Sequence, residues 1–127
     1  MKPIKTALCW LLAGGVIYAG VRHFTNPAPF VSIVPPGLPA PAALVAVSGA
    51  CEIAGGVGLL VSPLRRAAAW GLIALFVAVF PANVNMAINR DAPNFGFALW
   101  MLWARLPLQA LLIAWAWLYT RPDTPPR

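Results

Sequence analysis

Two charged side chains stand inside stretches that are otherwise apolar: Glu52 within 41–61 and Arg105 within 97–119. A charge at bilayer depth costs about 2.5–3.5 kcal/mol even on the mildest scale, unless it is paired or sits in a wet cavity. A carboxylate there can accept hydrogen bonds or carry a proton, and a guanidinium can pair with it or donate to a ligand carbonyl. Other polar groups sit in or near the same half of the bilayer. Gln109 follows Arg105 by four and shares its helix face. Asn83 and Asn85 come just after Pro81, Ser48 lies one turn before Glu52, and His23 closes the first apolar run. At about 1.5 Å per residue, Glu52 falls roughly 16 Å and Arg105 roughly 12 Å below the outer ends of their segments. The two are therefore expected to meet, because pairing is the cheapest way to bury either. Pro81 and Pro107 flank the cluster, and each removes a helical hydrogen bond. Backbone carbonyls released in this way are tolerated where they line a cavity rather than face lipid.

Two readings of the cluster follow. Glu52, Arg105, Gln109, Asn83, Asn85, Ser48 and His23 offer more polar capacity than two charges need, which favours a ligand-lined pocket. The plainer reading is a clamp that fixes helix register, with His23 merely solvated at the membrane boundary. Several chemistries are excluded. With one histidine and one intramembrane carboxylate, the protein alone cannot supply a metal site of ordinary ligand count. A haem held by two histidines is excluded for a monomer. No phosphate-binding glycine loop occurs, and Gly55-Gly-Val-Gly58 reads as close helix packing. Cys9 and Cys51 lie in different segments with no Cys-x-x-Cys, which argues against thiol-disulfide chemistry. Both are read as small buried apolar residues.

The elements that position these groups are helices. Hydrophobic residues make up 61% of the 127 positions and charged residues only 9%, too few charges to cover a water-exposed surface. Four apolar runs, at 4–24, 41–61, 67–89 and 97–120, are each long enough to cross a bilayer as a helix. Their Ala- and Leu-rich composition without period-2 alternation argues against strands. The first run is read as a retained span rather than a cleaved signal, because it is long and three comparable spans follow. Segment 25–40 carries five prolines, cannot form a continuous helix, and is expected to be a semi-rigid cap over one end of the bundle. The expected fold is all-α: one domain over 1–127, an antiparallel bundle of four transmembrane helices.

Span two carries Ala42, Ala46, Ala50, Ala54 and Gly58 at intervals of four, a stripe of small residues suited to close helix approach. Ser48, Glu52 and Gly56 form a second face, so span two is expected to be contacted on both sides. The net charge of +6 does not form a nucleic-acid stripe, because the basic residues sit singly or in pairs at segment ends. Lys2, Lys5, Arg65, Arg66, Arg121 and Arg127 fall on one side, and Arg22 and Arg90 on the other. That imbalance places both termini in the cytoplasm. Trp10, Trp70, Trp117 and Tyr119 then form an aromatic belt at the cytoplasmic interface.

The stretches Gly20-Val-Arg-His-Phe24, Ile33-Val-Pro-Pro36, Ser48-Gly-Ala-Cys-Glu-Ile-Ala-Gly-Gly56, Phe80-Pro-Ala-Asn-Val-Asn-Met86 and Trp103-Ala-Arg-Leu-Pro-Leu-Gln109 resemble the DoxX family of small four-span membrane proteins. The resemblance runs through nearly the whole chain. It implies a bundle in the bacterial inner membrane, linked in some members to quinone oxidoreductases and in distant relatives to receptor assembly. Two expectations follow from it. In one, the outer half holds a lipophile such as a quinone, with Arg105, Asn83 and Gln109 donating to its carbonyls and Glu52 carrying a proton. No cofactor would be held by this chain alone, so electrons would come from a membrane redox partner. In the other, the protein is a non-catalytic scaffold, alone or as a homo-oligomer, whose small-residue faces dock other helices. Whether the chain is an enzyme is open at this stage.

Overall fold

The computed structural model describes residues 2–28, 31, 34, 37–88 and 99–121, the side chains of 82, 83, 85–88 and 99–102 excepted. Among these residues the chain is all-α. The helices are α1 (Pro3–Thr25), α2 (Pro41–Leu60), α3 (Arg65–Ile88) and α4 (Leu99–Trp117), with a 3-10 turn at Ser62–Leu64 joining α2 to α3. Proline stands in the first turn of α1, of α2 and of the 3-10 turn, where its missing N–H is no loss and its fixed φ favours the helix. Gly37 and Ala40 take positive φ values of 97° and 50°. The second is costly for a residue with a Cβ and marks a sharp entry into α2.

Among the described residues three stretches, Pro3–Thr25, Pro41–Leu60 and Ser62–Pro81, are long and apolar enough to cross a membrane. The fourth apolar run of the sequence yields the helix α4. Arg105, Pro107 and Gln109 all fall within its 19 residues. α3 continues through Pro81 to Ile88.

The helices pack in chain order: α1 against α2, α2 against α3, and α3 against α4. Contacts along α1 and α2 run in opposite directions. Cys9 Sγ donates to Leu59 O at 3.5 Å, Gly56 sits against Ala13, and Gly20 sits against Gly49. The α2–α3 hairpin closes with Gly58 on Ala68 and Gly55 on Leu72. Arg66 Nε donates to Thr120 O at 3.0 Å, tying the start of α3 to the end of α4. Tyr119 Oη donates to Lys5 O at 2.8 Å, tying the end of α4 to the first turns of α1. The start of α1, the α2–α3 turn and the end of α4 therefore share one end of an up-down-up-down arrangement.

The core lies toward that end. It gathers Cys9, Leu12, Ala13 and Val16 from α1, Leu59 from α2, Ala69, Leu72 and Phe76 from α3, and Ala116 and Tyr119 from the end of α4. Two expectations need correction here. Tyr119 is not a belt residue: it is 1% exposed and belongs to the core. Trp10, Trp70 and Trp117 are exposed as expected. Cys9 is buried but Cys51 is exposed, because the face of α2 that carries Cys51 lies along an open groove beside α3.

Candidate functional site: a histidine–glutamate pair at a glycine crossing

Glu52 is carried on the side of α2 turned toward α1. Gly49 and Gly56, three before and four after it, share that face. A Cβ at Gly49 would lie 2.6 Å from His23 Cβ and 3.0 Å from Gly20 O, and one at Gly20 would lie 2.7 Å from Gly49 O. Only glycine lets the two backbones come this close. The crossing brings His23, near the end of α1, against the middle of α2.

His23 Nδ1 lies 2.7 Å from Ala19 O. A carbonyl oxygen can only accept, so Nδ1 carries the proton and donates it to Ala19. The same nitrogen lies 3.4 Å from Glu52 Oε2, within ion-pair distance. The bond is not aimed at the carboxylate, however, and Oε2 is buried with no hydrogen-bond partner. The two observations agree: the two groups are near each other, but the Nδ1 hydrogen is committed to Ala19 O. An acceptor left in this state costs about 1–3 kcal/mol, more when charged, unless a further donor reaches it.

Ser48 is half-buried and donates to Val45 O at 3.0 Å, so its hydroxyl is engaged in its own helix. Gln109 is buried on α4, and its amide Nε2 donates to Phe76 O at 2.9 Å, linking α4 to α3. Arg105, one turn before Gln109, is half-buried and has partners of its own. Glu52 thus faces His23, where depth along each helix had pointed to Arg105. The side chains of Asn83 and Asn85 lie outside the described residues. On α2, Gly58 is buried against Ala68 and Ala46 is half-buried, whereas Ala50 and Ala54 are exposed. Among the glycines of α2, Gly49 and Gly56 lie tight against α1, and Gly55 and Gly58 against α3. Among the described residues no cluster of His, Cys, Asp and Glu can hold a metal ion.

Gly20 and Gly49 were not singled out by their sequence setting, although a signal was there. Each of the two polar residues has a glycine three positions before it, hence on its own face: Gly20 before His23 and Gly49 before Glu52.

Compared with known families, residues 12–120 match the one described as "Domain of unknown function (DUF8561)". This match overturns the DoxX resemblance, and the quinone and oxidoreductase associations that came with it lose their support. Beside polar and large apolar residues, the motifs behind the resemblance contain many Gly, Ala, Ser and Pro. Membrane helices use such residues for close packing and for turns whatever their ancestry, so their order along the chain is weak evidence of kinship. No curated protein and no solved structure matches the chain.

Proposed function

The chain belongs to the DUF8561 family, and from that premise we propose that it is a multi-pass membrane protein that holds a lipophilic ligand by its polar head at the His23–Glu52 crossing. The observation that carries this reading is the buried Glu52 Oε2 without a hydrogen-bond partner. Ionised, that oxygen takes a hydroxyl or amine donor from the ligand. Protonated, it donates to a carbonyl, and a quinone is the test case of that kind. The proline-rich segment 25–40 follows His23 directly and joins the two helices that form the crossing.

In this reading α4 is the fourth span, with Arg105 and Gln109 turned to the bundle rather than to lipid. The end carrying Lys2, Lys5, Arg65, Arg66 and Arg121 is cytoplasmic, by the excess of basic residues there. A second reading, a non-catalytic scaffold, is favoured by Gln109. Its amide is spent on Phe76 O, as expected of polar glue between helices.

The test is mass spectrometry of lipophiles that co-purify with gently extracted protein, read beside thermal stability, in the wild type, Glu52→Leu and Gln109→Leu. The ligand reading expects a bound lipophile that Glu52→Leu loses while keeping its fold. It also expects Gln109→Leu to keep the ligand and lose stability. Equal ligand content in all three proteins would remove the ligand reading and leave the scaffold.

A further inference from the structure

At the end of the molecule opposite the crossing, two arginines from different elements meet at the last residues of α4. Arg66 stands in the first turn of α3, and its Nε donates to Thr120 O at 3.0 Å. That carbonyl belongs to the peptide that leads into Arg121, so the Arg66 guanidinium rests on the backbone beside Arg121. The Arg121 guanidinium lies 4.0 Å from the centre of the Trp117 ring. Both arginines are exposed. Arg66 is held through Nε and Arg121 through the face of its guanidinium, so the terminal Nη donors of both can take an anion. A planar fork oriented in this way suits phosphate oxygens.

The surroundings are net positive. Tyr119 Oη donates to Lys5 O at 2.8 Å, which brings the start of α1, with Lys2 and Lys5, to the same end. Arg65 adds a further charge there but caps α2 instead, its Nε donating to Leu59 O at 2.7 Å. Glu52 is the sole acid among the described residues, and it is held at the His23 crossing. Asp123 follows Arg121 in the sequence but is outnumbered in the tail by Arg121 and Arg127.

Each arginine has an exposed tryptophan four positions away, Trp70 after Arg66 and Trp117 before Arg121. That spacing puts Trp70 on the face of α3 that carries Arg66. The stretch Ser62–Pro81, long and apolar enough to cross a membrane, begins just before Arg66. Arg66 thus stands where an apolar stretch begins, and its bond to Thr120 holds the end of α4 at the same level. Indole rings settle at the level of lipid headgroups. The phosphate met at that level is one carried by a phospholipid.

We propose that Arg66 and Arg121 together bind the phosphate of an anionic phospholipid, with Trp70 and Trp117 against its glycerol region. Charge complementarity selects the anionic lipid. A zwitterionic lipid brings the same phosphate but adds a cationic head to an end that is already net positive. The site shares no residue with the His23–Glu52 crossing and does not depend on the ligand proposed there.

The experiment is native mass spectrometry of the full chain in neutral detergent, titrated with dioleoyl-phosphatidylglycerol or dioleoyl-phosphatidylcholine. Inorganic phosphate is supplied as a competitor in the form of ammonium phosphate, against ammonium acetate of equal ionic strength. The wild type should prefer the anionic lipid. Arg66→Gln and Arg121→Gln should each weaken that lipid about fivefold, the worth of one arginine near an anionic lipid surface. Lys2→Gln is the control, since it removes the same charge from the same end but outside the site, and it should leave the affinity unchanged. Inorganic phosphate should not displace the lipid, because the glycerol region supplies part of the affinity. If Arg66→Gln fails to fold, Arg121→Gln carries the test alone. Arg121 makes no hydrogen bond to another helix among the described residues, so its replacement should leave the melting temperature unchanged. Equal binding of the two lipids, an equal loss in Lys2→Gln and Arg121→Gln, or displacement of the lipid by inorganic phosphate would each overturn the proposal.

Discussion

His23 and Glu52 sit 3.4 Å apart, yet the proton on Nδ1 is given to Ala19 O, so the pair is close without being hydrogen-bonded. Coupling between them is therefore electrostatic, through a poorly screened interior, and sensitive to whatever else reaches Oε2. A double-mutant cycle with His23→Leu and Glu52→Leu, followed by unfolding in mixed detergent, should give a coupling energy of about 0.5–3 kcal/mol. Additive effects, within the error expected of independent sites, would show that the contact carries no energy. Both residues were legible in the sequence as candidate site residues, but their pairing was not. Depth was measured along each helix from its own end. Thr25 ends α1 just past His23, whereas Pro41 opens α2 about three turns before Glu52. The longitudinal offset between helices is invisible to a count along either one.

The α1–α2 pair is organised by glycines where their backbones cross, and this is where a single methyl group decides the packing. Gly49→Ala should push α1 and α2 apart, because the new Cβ would lie 2.6 Å from His23 Cβ and 3.0 Å from Gly20 O. Overpacking of this kind costs about 1–3 kcal/mol. Gly14→Ala is the matched control, since a Cβ there meets nothing within 4 Å. Its expected effect is neutral to stabilising, by up to about 1 kcal/mol from helix propensity. Unfolding both variants side by side checks the assignment, and equal stabilities would show that the crossing is looser than its geometry. On α2 the stripe of small residues at intervals of four drew attention in the sequence; its Gly58 meets Ala68 while its Ala50 and Ala54 are exposed, and Gly49, Gly55 and Gly56, outside the stripe, also make close contacts. A spacing of four marks a face; which face meets a neighbour depends on how the helix is rotated within the bundle.

Across the whole molecule, large apolar side chains are exposed on every helix, including Trp10 and Tyr18 on α1, Val47 and Val57 on α2, Trp70 and Val77 on α3, and Trp103 and Leu111 on α4. A soluble monomer rarely exposes apolar surface on this scale, whereas lipid covers it at no cost. If the basic end is cytoplasmic, Thr25→Cys in a Cys51→Ala background should react with a membrane-impermeant maleimide from outside. Ser62→Cys should react only after the membrane is opened. Cys9 will not interfere, being fully buried. Labelling in the reverse order would invert the proposed orientation. By itself the sequence determined that the chain is helical, roughly where each helix starts and stops, and that its basic residues mark segment ends. Those properties depend on composition, proline placement and local periodicity, all of which are written along the chain. Tertiary structure alone decided that Glu52 faces His23, that Gln109 is spent on Phe76 O, and that Arg66 ties the start of α3 to Thr120 O. Each of these depends on the relative rotation and offset of packed helices, which are set by the summed fit of many small contacts and by no single residue.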